Sequence, residues 1–179
     1  MKVFKQRLPG VTLIAPDVFY DNRGSFRRNF CTAQLAEIGI SFTVYQGNIS
    51  ENPKKYTLRG FHYQKFPSNE SKILTPLSGT LYNVVLDLRP TSNTYLQWLG
   101  MEISSERKES LYIPTGCANA FLTTEVNTVV HYYMSDSFRP ETYAGIRYND
   151  PLFNIVWPHE PLFISEKDRS FSNFTVGQL

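Results

Sequence analysis

The chain's 179 residues amount to about one to one and a half typical domains, and its 18 Lys and Arg nearly balance 16 Asp and Glu, for a net charge of +2. Hydrophobic residues make up 41%, with thirteen Phe, eleven Tyr and two Trp among the aromatics, which excludes global disorder. No basic run exceeds two residues and no apolar run approaches the roughly 18 of a membrane helix, so neither nucleic acid nor a membrane is an expected partner.

The opening MKVFKQRLPG carries charges where a secretory segment needs an apolar run, and a cytoplasmic protein is expected. Cys31 and Cys117 make neither a disulfide framework nor a CxxC pair and read as reduced, core-type residues. No repeat or polar linker breaks the chain, so a single domain over residues 1–179 is expected.

In chain order, residues 11–14 and 26–30 read as strands, with Asp21-Asn22-Arg23-Gly24 as the turn between them. Residues 33–38 suit a short helix that Thr32 caps and Gly39 ends. The strongest strand is 81–88, with Tyr82, Val84, Leu86 and Leu88 on one face and Leu81, Asn83, Val85 and Asp87 on the other. That second face is polar enough to line a wet cavity. Further strands follow at 96–103, 110–113, 120–123 and 128–134, with a helical turn expected near Glu106-Arg107-Lys108. Many short strands with few helices predict a mainly β fold, an antiparallel sandwich or jelly-roll barrel that binds ligands in its interior.

Two segments carry candidate chemistry. In Leu58-Arg59-Gly60-Phe61-His62-Tyr63-Gln64, Arg59 and His62 face opposite ways along a regular strand, but Gly60 permits a bulge that re-aims one of them. His62 suits a general base; on this motif alone, a half-buried histidine bonded to backbone is the simpler reading. The segment Ile113-Pro114-Thr115-Gly116-Cys117-Ala118-Asn119 resembles the second cupin motif with Asn119 in the metal-binding histidine's place, and Gln64 likewise replaces a histidine of the first motif. Amides are poor substitutes for imidazole at a transition metal, so no metal site is expected.

These two segments fall in order with Asp21-x-Arg23-Gly24-x-Phe26, Ser71-Lys72-Ile73-Leu74, Val85-Leu86-Asp87-Leu88-Arg89, Gly145-Ile146-Arg147-Tyr148-Asn149-Asp150-Pro151 and Ser165-Glu166-Lys167-Asp168-Arg169. Together they resemble the dTDP-4-dehydrorhamnose 3,5-epimerase family over nearly the whole chain. The resemblance implies a cupin-like jelly roll that epimerises C3, C5 or both in a nucleotide-diphospho-4-keto-6-deoxy sugar, without cofactor, in deoxysugar and O-antigen (lipopolysaccharide) biosynthesis. The 4-ketone acidifies the hydrogens on C3 and C5, so a base, an enolate stabiliser and an acid across the ring suffice.

By that resemblance His62 is the base, Asp168 the carboxylate that fixes its tautomer, Lys72 the enolate-stabilising cation and Tyr132 the opposite-face acid. Read without it, Ser165-x-x-Asp168 is a helix capping box, Lys72 a solvated strand lysine and Tyr132 a packed core tyrosine. Arg59 and Arg23 match diphosphate anchors, and Phe19, Gln46 and Asn48 match nucleotide- and sugar-contacting positions. The family further implies a homodimer that exchanges N-terminal strands, so some anchors serve the neighbouring site.

Four positions depart from the family pattern: Asn119 for a second pocket histidine, Asn83 for an aspartate, Phe138 for a tyrosine flanking the base, and Arg28 for a glutamate. Arg28 has no acceptor for thymine N3–H, which favours a CDP- or GDP-linked sugar as the alternative substrate. A 3,4-ketoisomerase and a non-catalytic sugar-binding jelly roll are the other competing readings.

Overall fold

The computed structural model describes residues 1–177. The first half of the described chain runs β1 (Lys2–Lys5), β2 (Thr12–Ala15), β3 (Val18–Asp21), β4 (Gly24–Arg27), α1 (Thr32–Glu37), β5 (Gln46–Asn52), β6 (Leu58–Gln64) and β7 (Lys72–Ser78). The second half runs β8 (Thr80–Asp87), β9 (Trp98–Ser104), β10 (Ser110–Ile113), β11 (Cys117–Thr123), β12 (Thr128–Met134), β13 (Tyr143–Gly145) and α2 (Glu166–Ser170). One antiparallel sheet has the order β1-β2-β10-β7-β12-β5 and the other β13-β6-β11-β8-β9. From β5 onward the chain changes sheet at every connection except the β8–β9 hairpin, the winding of a cupin-like jelly roll.

Period-two alternation builds three layers of core. Leu74, Leu111 and Val130 from the first sheet meet Leu81, Val85, Ile103 and Phe121 from the second in the barrel interior. On the outer side of the second sheet, Val84, Leu86, Ala118 and Ala120 are covered by Ile146, Phe153 and Phe174 of the C-terminal segment. Outside the first sheet, Ile14 and Ile73 are covered by Leu35, Ile40 and Phe42 in and after α1. The wet face expected on residues 81–88 is therefore closed core: Asn83 and Asp87 are fully buried beside Leu81 and Val85. Four groups satisfy the Asp87 carboxylate, namely Arg89 through side chain and backbone, Ser92 and Thr94. Burial pushes its pKa up, but these bonds outweigh burial and hold it at about 2.

Several local expectations change. Cys31, not Thr32, is the residue before α1, and it makes no side-chain cap bond. Gly39 ends the helix at φ +82°, with Gly39 N–H on Ala36 O and Ile40 N–H on Leu35 O, a Schellman pair. Residues 105–108 form a hydrogen-bonded turn rather than helix. Cys31 is only half-buried, whereas Cys117 is core and burial pushes its thiol up to about 12. The strand expected over residues 26–30 stops at Arg27 and belongs to the separate β3–β4 hairpin, whose Phe19, Tyr20 and Phe26 are 66%, 74% and 69% exposed.

The bulge permitted by Gly60 is present and sets the site. Asn119 pairs with His62 and Phe121 with Arg59, so three steps along β6 oppose two along β11. The extra residue puts Arg59 and His62 on the same, inward side while Phe61 and Tyr63 enter the outer core. Gly60 has φ +109°, and a Cβ there would lie 2.5 Å from Asn119 O and 2.7 Å from Ala120 Cα. Gly60→Ala is accordingly expected to destabilise the protein by roughly 2–3 kcal/mol, towards the upper end for overpacking. A lowered urea midpoint at constant m-value measures it, and an unchanged midpoint contradicts it.

Candidate active site

His62 stands where three adjoining hollows of about 500, 400 and 110 Å³ meet. The smallest, inside the barrel, is lined by Arg59, His62, Lys72, Leu74, Asn119, Phe121 and Tyr132. The 400 Å³ hollow adds Gln46, Asn48, Glu70, Phe138 and Tyr143. The largest opens beside α2 and carries three cations, Arg59, Lys167 and Arg169.

The two sheets supply different functional groups. His62, Arg59 and Asn119 come from β6 and β11 of one sheet; Lys72, Tyr132, Gln46 and Asn48 come from β7, β12 and β5 of the other. Register explains the second set, because Tyr132 pairs with Leu74 and Asn48 while Met134 pairs with Lys72 and Gln46. Inward residues two apart on adjacent strands thus cluster at one end of the barrel. His131 and Tyr133 point outward and meet edge to face, as alternation requires.

His62 Nε2 lies 2.7 Å from Asp168 Oδ1, with the imidazole 32% exposed and the carboxylate 7%. The second oxygen of Asp168 accepts the Gly60 N–H at 3.0 Å. Burial pushes the Asp168 carboxyl up, but His62 by bond and charge, Gly60 N–H and Ser165 together hold it below the usual range. An ionised carboxylate only accepts, so Nε2 carries a proton, and in the neutral imidazole Nδ1 keeps the lone pair. Asp168's lowered pKa stabilises the fold above the ordinary carboxylate value, and that contribution is lost as pH falls through the folded value. The capping-box reading is half realised: Ser165 Oγ accepts from Asp168 N at 3.0 Å, while the Asp168 side chain serves His62 instead of the helix.

Across the cavity, burial raises the Tyr132 pKa, Glu70 adds to the rise and Arg59 opposes it, leaving a phenol that holds its proton at neutral pH. Lys72 Nζ sits 3.1 Å from Glu70 Oε1 and donates to His62 O at 3.3 Å. Arg59 Nε donates to Asn52 Oδ1 at 2.8 Å, and the side chain lines both the largest and the smallest hollow. Asn119 Nδ2 donates to Asn83 Oδ1 at 2.7 Å, so two of the four departures from the family pattern are one hydrogen-bonded amide pair. Phe138 is half-exposed at the cavity mouth, and its N–H donates to Gln46 Oε1 at 2.6 Å.

Three expected substrate contacts do not reach this cavity within the chain. Phe19 and Arg23 lie on the β3–β4 hairpin, where Arg23 pairs with Asp21 in solvent. Arg28 lines a narrow groove with Met1, Phe30 and Gln34. Four lining residues escaped sequence reasoning. Tyr143 stacks 5.5 Å from His62, a place that no periodicity announces because β13 is three residues long. Glu70 sits in a polar segment that reads as a loop. Lys167 and Arg169 flank Asp168 in a motif that did carry the signal. Among the described residues, no group of three His, Cys, Asp or Glu side chains is placed to hold a metal ion.

A cupin-like two-sheet barrel thus sets a His–Asp pair on one wall and a lysine and a phenol on the other, groups that can take and give protons. The chain belongs to the dTDP-4-dehydrorhamnose 3,5-epimerase family, whose model matches residues 5–175. It is 35% identical over 173 residues to the dTDP-4-dehydrorhamnose 3,5-epimerase of Methanothermobacter thermautotrophicus, covering 95% of this chain and 92% of that one. The Bacillus anthracis enzyme of that name, solved with TDP and PPi bound, superposes with a TM-score of 0.93 at 31% identity, over 97% of this chain and 99% of the other. A Legionella pneumophila epimerase solved with dTDP-4-keto-L-rhamnose gives 0.90 at 31% identity, over 96% and 92%.

Proposed function

We propose that this protein is an isomerase that epimerises C3 and C5 of a dTDP-linked 4-keto-6-deoxy sugar. The observation that carries the reading is the division of labour between facing walls: His62 with Asp168 on one, Lys72 and Tyr132 on the other. His62 Nδ1 takes the hydrogen from the carbon beside the ketone, and the electrons move into the carbonyl as an enolate. The Lys72 ammonium faces that developing oxyanion, the kind of preorganised charge that lowers such a barrier most. Tyr132 then delivers a proton to the face opposite His62, inverting the carbon. Arg59, Lys167 and Arg169 suit the diphosphate, since guanidinium forks match phosphate oxygens. Gln46, Asn48, Asn119 and Phe138 line the sugar and nucleoside end.

The chemistry needs neither redox cofactor nor metal, and Gln64 and Asn119 are already engaged in hydrogen bonds within the protein. The hairpin's exposed Phe19, Tyr20 and Phe26 support a homodimer in which this segment completes the neighbouring site, bringing Phe19 and Arg23 to the partner's substrate. The reading places the enzyme in the cytoplasm, in deoxysugar synthesis for surface polysaccharide such as O-antigen. Among the described residues no helix is long and apolar enough to cross a membrane. Incubation with a dTDP-4-keto-6-deoxyhexose and assignment of product stereochemistry by NMR tests the activity; recovery of unchanged sugar refutes it.

Arg28 favours a second reading, a CDP- or GDP-linked substrate, because it offers no acceptor to thymine. The chain itself keeps Arg28 away from the cavity, and the Bacillus anthracis relative was solved with TDP, which supports dTDP. Thermal-shift titration against dTDP, CDP and GDP decides the point. Preferential stabilisation by dTDP is expected; a larger shift with CDP or GDP moves the assignment.

A further inference from the structure

Glu70 is a buried carboxylate, 5% exposed, whose two oxygens face two different donors. Oε2 accepts from Gln64 Nε2 at 2.7 Å, and Oε1 meets Lys72 Nζ at 3.1 Å. Gln64 is held in turn at its other end, where Oε1 accepts from Arg139 N at 2.7 Å and Thr142 Oγ1 at 3.0 Å. The chain therefore runs from a fixed backbone loop through Gln64 and Glu70 to the ammonium of Lys72.

Stability is a poor explanation for this pair. Burying two charges is expensive, and apolar replacements of similar volume are often as stable or more so. Orientation explains it better. An ammonium has three N–H groups. In Lys72 one points to Glu70 Oε1 and one to His62 O, which leaves the third for the cavity that Lys72 lines. Only a carboxylate fits position 70, because both of its oxygens must accept; an amide turns a donor towards either Gln64 Nε2 or Lys72.

We infer that Glu70 is a positioning residue that fixes Lys72 so that its one remaining N–H meets the substrate oxygen on which the enolate charge collects. The inference rests on the reading of Lys72 as enolate stabiliser. Glu70 also lines the 400 Å³ hollow with Tyr132 and Tyr143, and its charge adds to the rise that burial imposes on both phenols. It thereby helps keep the acid protonated while the lysine works beside it.

The test compares Glu70→Gln, Lys72→Met and the double variant, each checked for folding by its melting curve. The readouts are the rate of solvent deuterium entry at saturating substrate, KM, and dTDP affinity. Glu70→Gln is expected to slow exchange by roughly 10- to 100-fold, the scale of a misplaced catalytic group, with dTDP affinity unchanged. In the Lys72→Met background it should cost nothing further, because Glu70 acts through Lys72. Unchanged exchange in Glu70→Gln, or the same loss in both backgrounds, overturns the inference. Wild-type exchange in Lys72→Met overturns the underlying reading instead. Should Glu70→Gln fail to fold, Glu70→Asp keeps the charge but is one methylene too short to span both partners. It is expected to show a smaller loss with dTDP affinity intact, and wild-type exchange in it overturns the inference.

Discussion

Replacing His62 by alanine is expected to lower turnover by roughly 10²–10⁴, the range for loss of a general base. Among the described residues no other group on that wall can take over. Tyr143 stacks against His62, but burial and the nearby charge of Asp168 push its phenol up, so it offers no base at neutral pH. Asp168 is buried and committed to His62 and Gly60 N–H, and it lines the largest hollow but not the interior one that holds Lys72 and Tyr132. Asp168→Asn should cost less than His62→Ala, since the imidazole remains in place while the orienting charge is gone. Steady-state turnover with dTDP affinity as a control measures both. Unchanged turnover in His62→Ala removes it from the mechanism.

Tyr132→Phe is expected to separate the two halves of the reaction. Proton removal by His62 continues, so solvent deuterium still enters the sugar, while inversion falls by roughly 10²–10³ for want of the opposite-face donor. The ring volume is conserved and the cavity wall stays intact, so the loss is chemical. Tyr143→Phe is the internal control: β13 pairs with β6, which places Tyr143 on His62's own wall, where it cannot protonate the opposite face. Product stereochemistry and deuterium content, read on one sample, separate the outcomes. Equal loss of exchange and inversion in Tyr132→Phe would contradict its role as acid alone.

The features legible in the sequence are those where local rules and tertiary packing agree. Strand β8 buries both faces under separate cores, and its alternation survives in full. Gly60 announced a bulge because little else tolerates a backbone pressed against Asn119 and Ala120. Gly39 announced the end of α1 for the same conformational reason. Other features depend on partners distant in sequence. Strands β1 and β3 are short and largely exposed, and β13 exists only through pairing with β6, so none carries an amphipathic stripe. The polarity of Asn83 and Asp87 suggested water, yet both are closed into the core, Asp87 fully hydrogen-bonded and Asn83 bonded at Oδ1 alone. Glu70 was illegible for a related reason: Ser68-Asn69-Glu70-Ser71 looks like a solvated turn until Gln64 and Lys72 are brought to it from two strands. Asp168 was legible as both cap and dyad partner, and its segment does both, with the main-chain N–H on Ser165 and the carboxylate on His62.

In the proposed mechanism two facing walls remove and return a proton on opposite sides of one carbon. Incubation of the wild-type enzyme in D2O with a dTDP-4-keto-6-deoxyhexose, followed by NMR, tests it most directly. Deuterium is expected at C3 and C5 of sugar whose configuration at those carbons is inverted. Sugar that emerges with its original hydrogens and its original configuration would contradict it.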